Sequence, residues 1–185
     1  MPLLIDTQDS VEAEQYEFEE EQQNVARLLH LIYNSDADTY FEIMQAFKKM
    51  FAKGGKKRMK FTYPSLVFAL FRFARFLKAY EGETRISLDN IWKMLLEVVG
   101  KISGLDCDLG LRLNLQTVLC MNELDPEKQY EEISYEFASQ ALVIYQDELS
   151  DSEHKLIAIK IIAGTFQRLS CFDEDNYDTL ITNAT

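Results

Sequence analysis

Two histidines, 3 cysteines and 31 carboxylates are the side chains through which this 185-residue chain could do acid–base, nucleophilic or metal chemistry. His30 and His154 lie in different segments, and no Cys or His pair has the spacing of a zinc site. Asp173, Asp175 and Asp178 are spaced like part of a calcium loop, but its central Gly and the Glu that follows are missing. Gly54 and Gly55 sit among lysines without the GxxxxGK[ST] spacing of a phosphate-binding loop, and neither GxSxG nor GxGxxG occurs. An all-helical carboxylate enzyme needs acids on facing helix interiors. Here the acids fall mostly in connections and on polar faces. The expectation is no catalytic residue, no metal and no cofactor: the protein is not an enzyme.

What must position these residues is a set of helices. Hydrophobic residues make up 47% of the chain, enough to build a core, and only 7 Gly and 3 Pro punctuate it, too few for a sheet protein with many tight turns. The formal net charge of −12 argues against generic binding to nucleic acid or anionic lipid. Cys107, Cys120 and Cys171 are widely spaced and odd in number, which suits free thiols in a reducing compartment. No signal peptide is readable at Met1–Ile5, and the apolar run Ser65–Phe71 is broken by Arg72, far short of a membrane span. A soluble, cytosolic chain is expected.

Residues 1–21 hold eight acids and no base, and residues 1–17 are expected to form a disordered or loosely helical acidic lead. The solenoid segment is expected over residues 18–185. A first helix is expected from Phe18 to Tyr33 on the stripe Val25, Leu28, Leu29, Ile32. A second is expected to start at Ser35 and stop before Gly54-Gly55. A third begins near Thr62 with Pro64 in its first turn. A fourth is capped by Ser87, and its lone Trp92 reads as a packing residue. Leu109–Met121 fits strand alternation and a helical face alike; leucine's helix preference and the lack of any partner strand favour helix. Asp125-Pro126-Glu127 reads as the start of a sixth helix.

The sixth and seventh helices face each other across an acidic turn. Ser150-Asp151-Ser152-Glu153 matches a capping box, so Ser150 should cap the seventh helix with Glu153 reaching back, and Asp147 should present its charge to that helix start or to a partner. The seventh helix carries Leu156, Ile157, Ile159, Ile161, Ile162, Phe166 and Leu169 on most of its sides, so it should be covered on most sides. An eighth helix begins after Asp173-Glu174-Asp175 and meets no stop signal, so the chain reads as cut at its C-terminal end. About eight helices in antiparallel pairs, repeating at roughly 40 residues, make an all-α, HEAT-like α-solenoid. Lys56, Lys57 and Arg58 sit in a basic cluster that reads either as a solvated loop or as an anionic-surface patch for phosphoinositide or nucleic acid.

Several stretches together resemble one family. Phe61-Thr62-Tyr63-Pro64-Ser65-Leu66-Val67-Phe68, Tyr135-Glu136-Phe137-Ala138-Ser139-Gln140-Ala141, Tyr145 to Ser152, and Gly164-Thr165-Phe166-Gln167-Arg168 with Cys171-Phe172 resemble, in order, motifs of the retromer large-subunit family, vacuolar protein sorting-associated protein 35. Leu111-Arg112-Leu113 with Gln116, and Glu20-Glu21-Gln22 with Arg27 and His30-Leu31, are weaker matches. Ser65 stands where the family commonly has a second proline, and Tyr177 where a histidine is common. The resemblance is to the later, carboxy-terminal half of a longer solenoid. The PRLYL motif that recruits the arrestin-like subunit is absent from this chain.

The resemblance implies a scaffold of the retromer cargo-sorting complex. It implies docking of the small metallophosphoesterase-fold subunit, and work on the cytosolic face of endosomes in endosome-to-Golgi and recycling transport. It implies peripheral membrane association through the complex and no nucleic acid. Arg112, Arg168, Phe172 and Asn176, in or beside the family-like motifs, are the candidate partner-binding residues. A helical-repeat adaptor outside retromer keeps the fold and drops this partner.

Overall fold

The computed structural model describes the backbone of residues 3–184 and the side chains of residues 14–182. Among the described residues eight α-helices follow one another: α1 (Leu3–Leu31), α2 (Ala37–Lys53), α3 (Lys56–Lys78), α4 (Leu88–Ser103), α5 (Cys107–Leu124), α6 (Glu131–Val143), α7 (Ser152–Phe166) and α8 (Glu174–Ala184). Among the described residues there is no strand. Leu109–Met121 is helical, inside α5. The odd-numbered helices α1, α3, α5 and α7 pack side by side as one layer, and α2, α4, α6 and α8 pack onto it. Short connections make neighbours antiparallel, the geometry of stacked helix pairs.

One continuous core runs from Leu29 to Leu180. Its widest part is aromatic. Tyr40, Phe73 and Trp92 are fully buried, and Tyr40 meets the Phe73 ring edge-on at 4.8 Å. Trp92 packs against Tyr130 at 6.4 Å, so the lone indole is a packing residue. α4 and α5 cross closely where a Cβ on Gly110 would come within 2.5 Å of the Ser103 Cα. Only glycine permits that approach without displacing backbone.

Several element boundaries differ from the sequence expectation. α1 begins at Leu3, not at Phe18, so it takes in most of the acidic lead. Glu, Gln and Ala are good helix formers, and acids favour a helix's positive N-terminal end. α3 begins at Lys56, not near Thr62, because Gly55 takes φ 77° and lets the chain turn straight into the next helix. Pro64 therefore sits inside α3, not in its first turn, and withholds an N–H from the Lys60 carbonyl.

The sixth helix begins at Glu131, not at Asp125. Asp125 closes α5 instead, and its carboxylate accepts the Tyr130 N–H at 2.7 Å across a loop in which Lys128 takes φ 57°. α7 is buried on one side only, through Ala158, Ile162, Thr165 and Phe166. Leu156 and Ile157 are 54% and 40% exposed, so the cover expected on most sides is missing within these residues.

Candidate interaction site

Several polar side chains tie neighbouring helices together at their junctions. Where the α1 end meets α3, Arg72 donates to the His30 and Ile32 carbonyls at 2.8 and 3.2 Å and to the Tyr40 hydroxyl at 3.2 Å. It thus satisfies carbonyls that a helix end leaves without partners. In the next junction Asp38 accepts from the Thr84 hydroxyl (2.7 Å), the Arg85 N–H (3.0 Å) and the Arg85 Nε (3.0 Å). These bonds hold its carboxyl below the usual carboxylate range. Ser87 starts α4 as expected, donating its N–H and hydroxyl to Asn90 Oδ1.

The same edge carries the densest junction, between the end of α5 and the α7–α8 loop. Asn122 Oδ1 accepts the Ser170 N–H at 2.7 Å. Lys128 Nζ donates to the Phe172 carbonyl at 2.7 Å. Glu131 Oε1 accepts the Asp173 N–H at 2.7 Å and Asn176 Nδ2 at 2.9 Å, and these bonds, Asn176 foremost, lower its pKa. Asp173 in turn accepts the Asn176 N–H at 2.9 Å and so starts α8. The aspartates that resemble a calcium loop in spacing therefore include a helix cap. Among the described residues no three His, Cys, Asp or Glu side chains converge as a metal site.

This places the sequence-selected residues. Phe172 is buried, with its ring edge-on to Tyr135 at 6.3 Å. Asn176 is bonded into the Glu131 junction. Both lie at one edge of the stack with Arg168. Arg112 is elsewhere, at the start of α5, paired within its helix to Asp108 at 2.8 Å. Arg168 is exposed at the end of α7 and borders an open groove of about 580 Å³ between α3 and α5, with Phe68, Leu119, Gln116 and the Arg75–Glu123 ion pair. Phe68 and Gln116 were not among the sequence-selected residues. For Phe68 the available signal in the sequence was its place at the end of a family-like motif, and its exposure is seen only in the structure.

The acidic junction is built differently from the capping box. Asp151, not Ser150, caps α7, and its carboxylate accepts the His154 N–H at 3.0 Å. Ser150 and Glu153 stand outside that bond. The second helix shows the same shift, with Asp36, not Ser35, accepting from the Thr39 N–H at 2.8 Å. In both Ser-Asp pairs the charged acceptor takes the cap, where it also meets the positive helix end. Asp147 lies in a π turn, Ile144–Glu148, that finishes α6 through a Leu149 N–H to Ile144 carbonyl bond of 3.2 Å.

Lys56, Lys57 and Arg58 occupy the first turn of α3, a position that opposes its dipole. Acidic α1 lies beside them: Glu14 and Glu19 line a groove with Lys57 and Lys60, and the Arg58 guanidinium stands 5.8 Å from the Phe18 ring. Burial pushes the Cys120 and Cys171 thiols up to about 11, the state of inert core cysteines. No helix among the described residues is long and apolar enough to cross a membrane.

The sequence profile described as vacuolar protein sorting-associated protein 35 matches residues 1–185. The chain is 35% identical over 187 residues to vacuolar protein sorting-associated protein 35A of Arabidopsis thaliana, with 98% of this chain and 23% of that protein covered. It is 33% identical over 180 residues to protein 35C of the same plant, covering 94% and 22%. It is 30% identical over 168 residues to vacuolar protein sorting-associated protein 35 of Schizosaccharomyces pombe, covering 88% and 19%. The chain thus spans less than a quarter of the length of these curated relatives.

Proposed function

The chain belongs to the vacuolar protein sorting-associated protein 35 family, and from that premise we propose that it is a non-enzymatic scaffold segment of the retromer cargo-sorting complex. The observation that carries this is the family match over residues 1–185. Its task is to hold the small metallophosphoesterase-fold subunit on the cytosolic face of endosomes, in retrograde and recycling transport. A scaffold needs a stack whose helices keep their register under load. The Asp38, Asn122, Lys128 and Glu131 junctions supply that, since each ties one helix pair to the next.

Of the residues selected from the sequence, we assign Arg168 to partner contact. Its guanidinium is exposed on the groove lined by Phe68 and Leu119, whereas Phe172 and Asn176 hold the fold. Interfaces concentrate their energy in a few such arginines and aromatics. Affinity capture on the immobilised chain tests the proposal. The small subunit should be retained, and Arg168→Glu with Phe68→Ala should release it. Failure to retain it, both by the folded chain and by a longer relative carrying this segment in place of its own, overturns the proposal.

A further inference from the structure

The connection between α6 and α7 leaves one serine free, and we propose that Ser150 accepts a phosphoryl group from an acid-directed protein kinase using ATP. This goes beyond the scaffold reading and stands independently of it.

A phosphoacceptor needs a hydroxyl without a prior bond, an extended backbone that a kinase can align, and flanking charge for the kinase to read. Ser150 has all three. Its side chain is exposed and makes no hydrogen bond among the described residues, because Asp151 holds the α7 cap through the His154 N–H at 3.0 Å. Its neighbours Leu149 and Asp151 are extended, at φ −83°, ψ 113° and φ −80°, ψ 132°. Asp147 and Glu148 precede it, and Asp151 and Glu153 follow one and three residues on, all four exposed. The turn shares an edge of the stack with the loops before α3 and α5. Those loops close through bonds of their own, Gly55 N–H to the Ala52 carbonyl and Leu109 N–H to Asp106. The exposure of Ser150 therefore belongs to the loop edge and not to the open outer side of α7.

Four other hydroxyls have an acid three residues on: Ser35, Thr39, Ser103 and Ser170. The fold withdraws each of them. Asp38, which follows Ser35, is tied to Thr84 and Arg85. Thr39 lies inside α2. Ser103 donates to the Val99 carbonyl at 3.1 Å, and Asp106 caps α5. Ser170 donates to Asn122 at 3.2 Å, and Asp173 caps α8. Ser152, the nearest competitor, has Lys155 three residues on, the wrong sign for an acid-directed kinase.

In the transfer the bond from Ser150 Oγ to phosphorus forms as the bond from the γ-phosphorus of ATP to its bridging oxygen breaks. ADP leaves, and the hydroxyl proton passes to the catalytic aspartate of the kinase. The product carries about −1.5 to −2 charges at neutral pH. Asp151 keeps the cap, and the new dianion stands just before the positive end of α7. The modification thus changes the charge of the edge while the helices stay in place.

Incubating the folded 185-residue chain with casein kinase II and ATP tests this. One phosphate per chain should appear by intact mass, and fragment mass spectrometry should place it on Ser150. Ser150→Ala and Glu153→Gln alter exposed side chains outside the cap, and each should lower the initial rate roughly tenfold or more. Ser152→Ala should leave the rate within about twofold. Comparing variants of equal helicity by circular dichroism keeps loss of folding out of the result. A folded chain that takes no phosphate, a phosphate placed mainly on another residue, or a rate indifferent to Glu153→Gln would each overturn the proposal.

Discussion

Removing the Glu131 side chain should unpin the last helix pair while leaving the rest of the stack intact. Glu131 Oε1 is the shared acceptor of the Asp173 N–H and Asn176 Nδ2, at 2.7 and 2.9 Å. A neutral hydrogen bond contributes about 0.5–1.5 kcal/mol net and one to a charged group about 1.5–3. The carboxylate is partly solvated, which screens the charged component, so Glu131→Ala should cost about 1–2 kcal/mol in total. For a chain of this size that lowers the midpoint of thermal unfolding by roughly 2–8 °C. Glu131→Gln retains an acceptor oxygen and should lose less than about 1 kcal/mol. Calorimetry gives the totals, and hydrogen exchange gives their location. Amides of residues 170–182 should exchange faster in the Ala variant, while those of α3 and α4 keep their protection. Unchanged stability in Glu131→Ala, or equal losses in Ala and Gln variants spread over all helices, would refute the reasoning.

Phe137 is fully buried in α6, so Phe137→Ala should destabilise by about 3–5 kcal/mol; denaturant titration with an unchanged slope checks it. Asp151→Ala should cost about 1 kcal/mol through the lost α7 cap, Asp151→Asn much less, and Ser150→Ala within about 0.5 kcal/mol; thermal scans of the three variants separate Asp151 from Ser150 as the cap. Asp38, Glu97, Glu123 and Glu131 all have folded-state pKa values below their ordinary ones, through hydrogen bonds to Thr84, Lys48, Arg75 and Asn176 respectively. A depressed carboxylate pKa adds stability that is fully present above the unfolded value and is lost as pH falls through the folded one. Stability should therefore hold above the ordinary carboxylate values of 3.8 and 4.5 and fall below them, and a melting temperature flat through that range would contradict it.

Helices with one apolar stripe were legible in the sequence because periodicity is a local property. The stripe Ile91, Met94, Leu95, Val98 defines α4, and Ser87 caps it where the pattern says. Ends governed by competition were less legible. A Ser-Asp pair offers two caps, and the box signature favours the serine at both Ser35 and Ser150, yet Asp36 and Asp151 hold the bonds. Asp125-Pro126-Glu127 carries every mark of a helix start, but Asp125 instead reaches over the Lys128 turn to Tyr130. The candidate site was the least legible. Phe172 and Asn176 lie within or beside family-like motifs for structural reasons, since their partners Tyr135 and Glu131 come from a helix 37 and 45 residues earlier, respectively. Nothing local in the sequence distinguishes a residue kept for such a junction from one kept for a partner.

That distinction follows from how a helix stack transmits force. Core contacts between helix pairs are apolar and non-directional, so they resist separation better than sliding. Directional bonds resist sliding, and this chain sets them where two loops meet at one edge: Asp38 to Thr84 and Arg85, Asn122 to Ser170, Lys128 to Phe172, Glu131 to Asp173 and Asn176. Toward the opposite edge the loop bonds close within their own junctions, Asp106 accepting from the Leu109 N–H and Asp151 from the His154 N–H, and the Lys48–Glu97 ion pair joins α2 to α4. Such a stack is pinned along one edge and freer along the other, so bending should concentrate rotation about the pinned loops. If a rigid partner seats on these helices as proposed above, it acts on the same coordinate, and its binding should depend on the junction bonds as well as on the residues it touches.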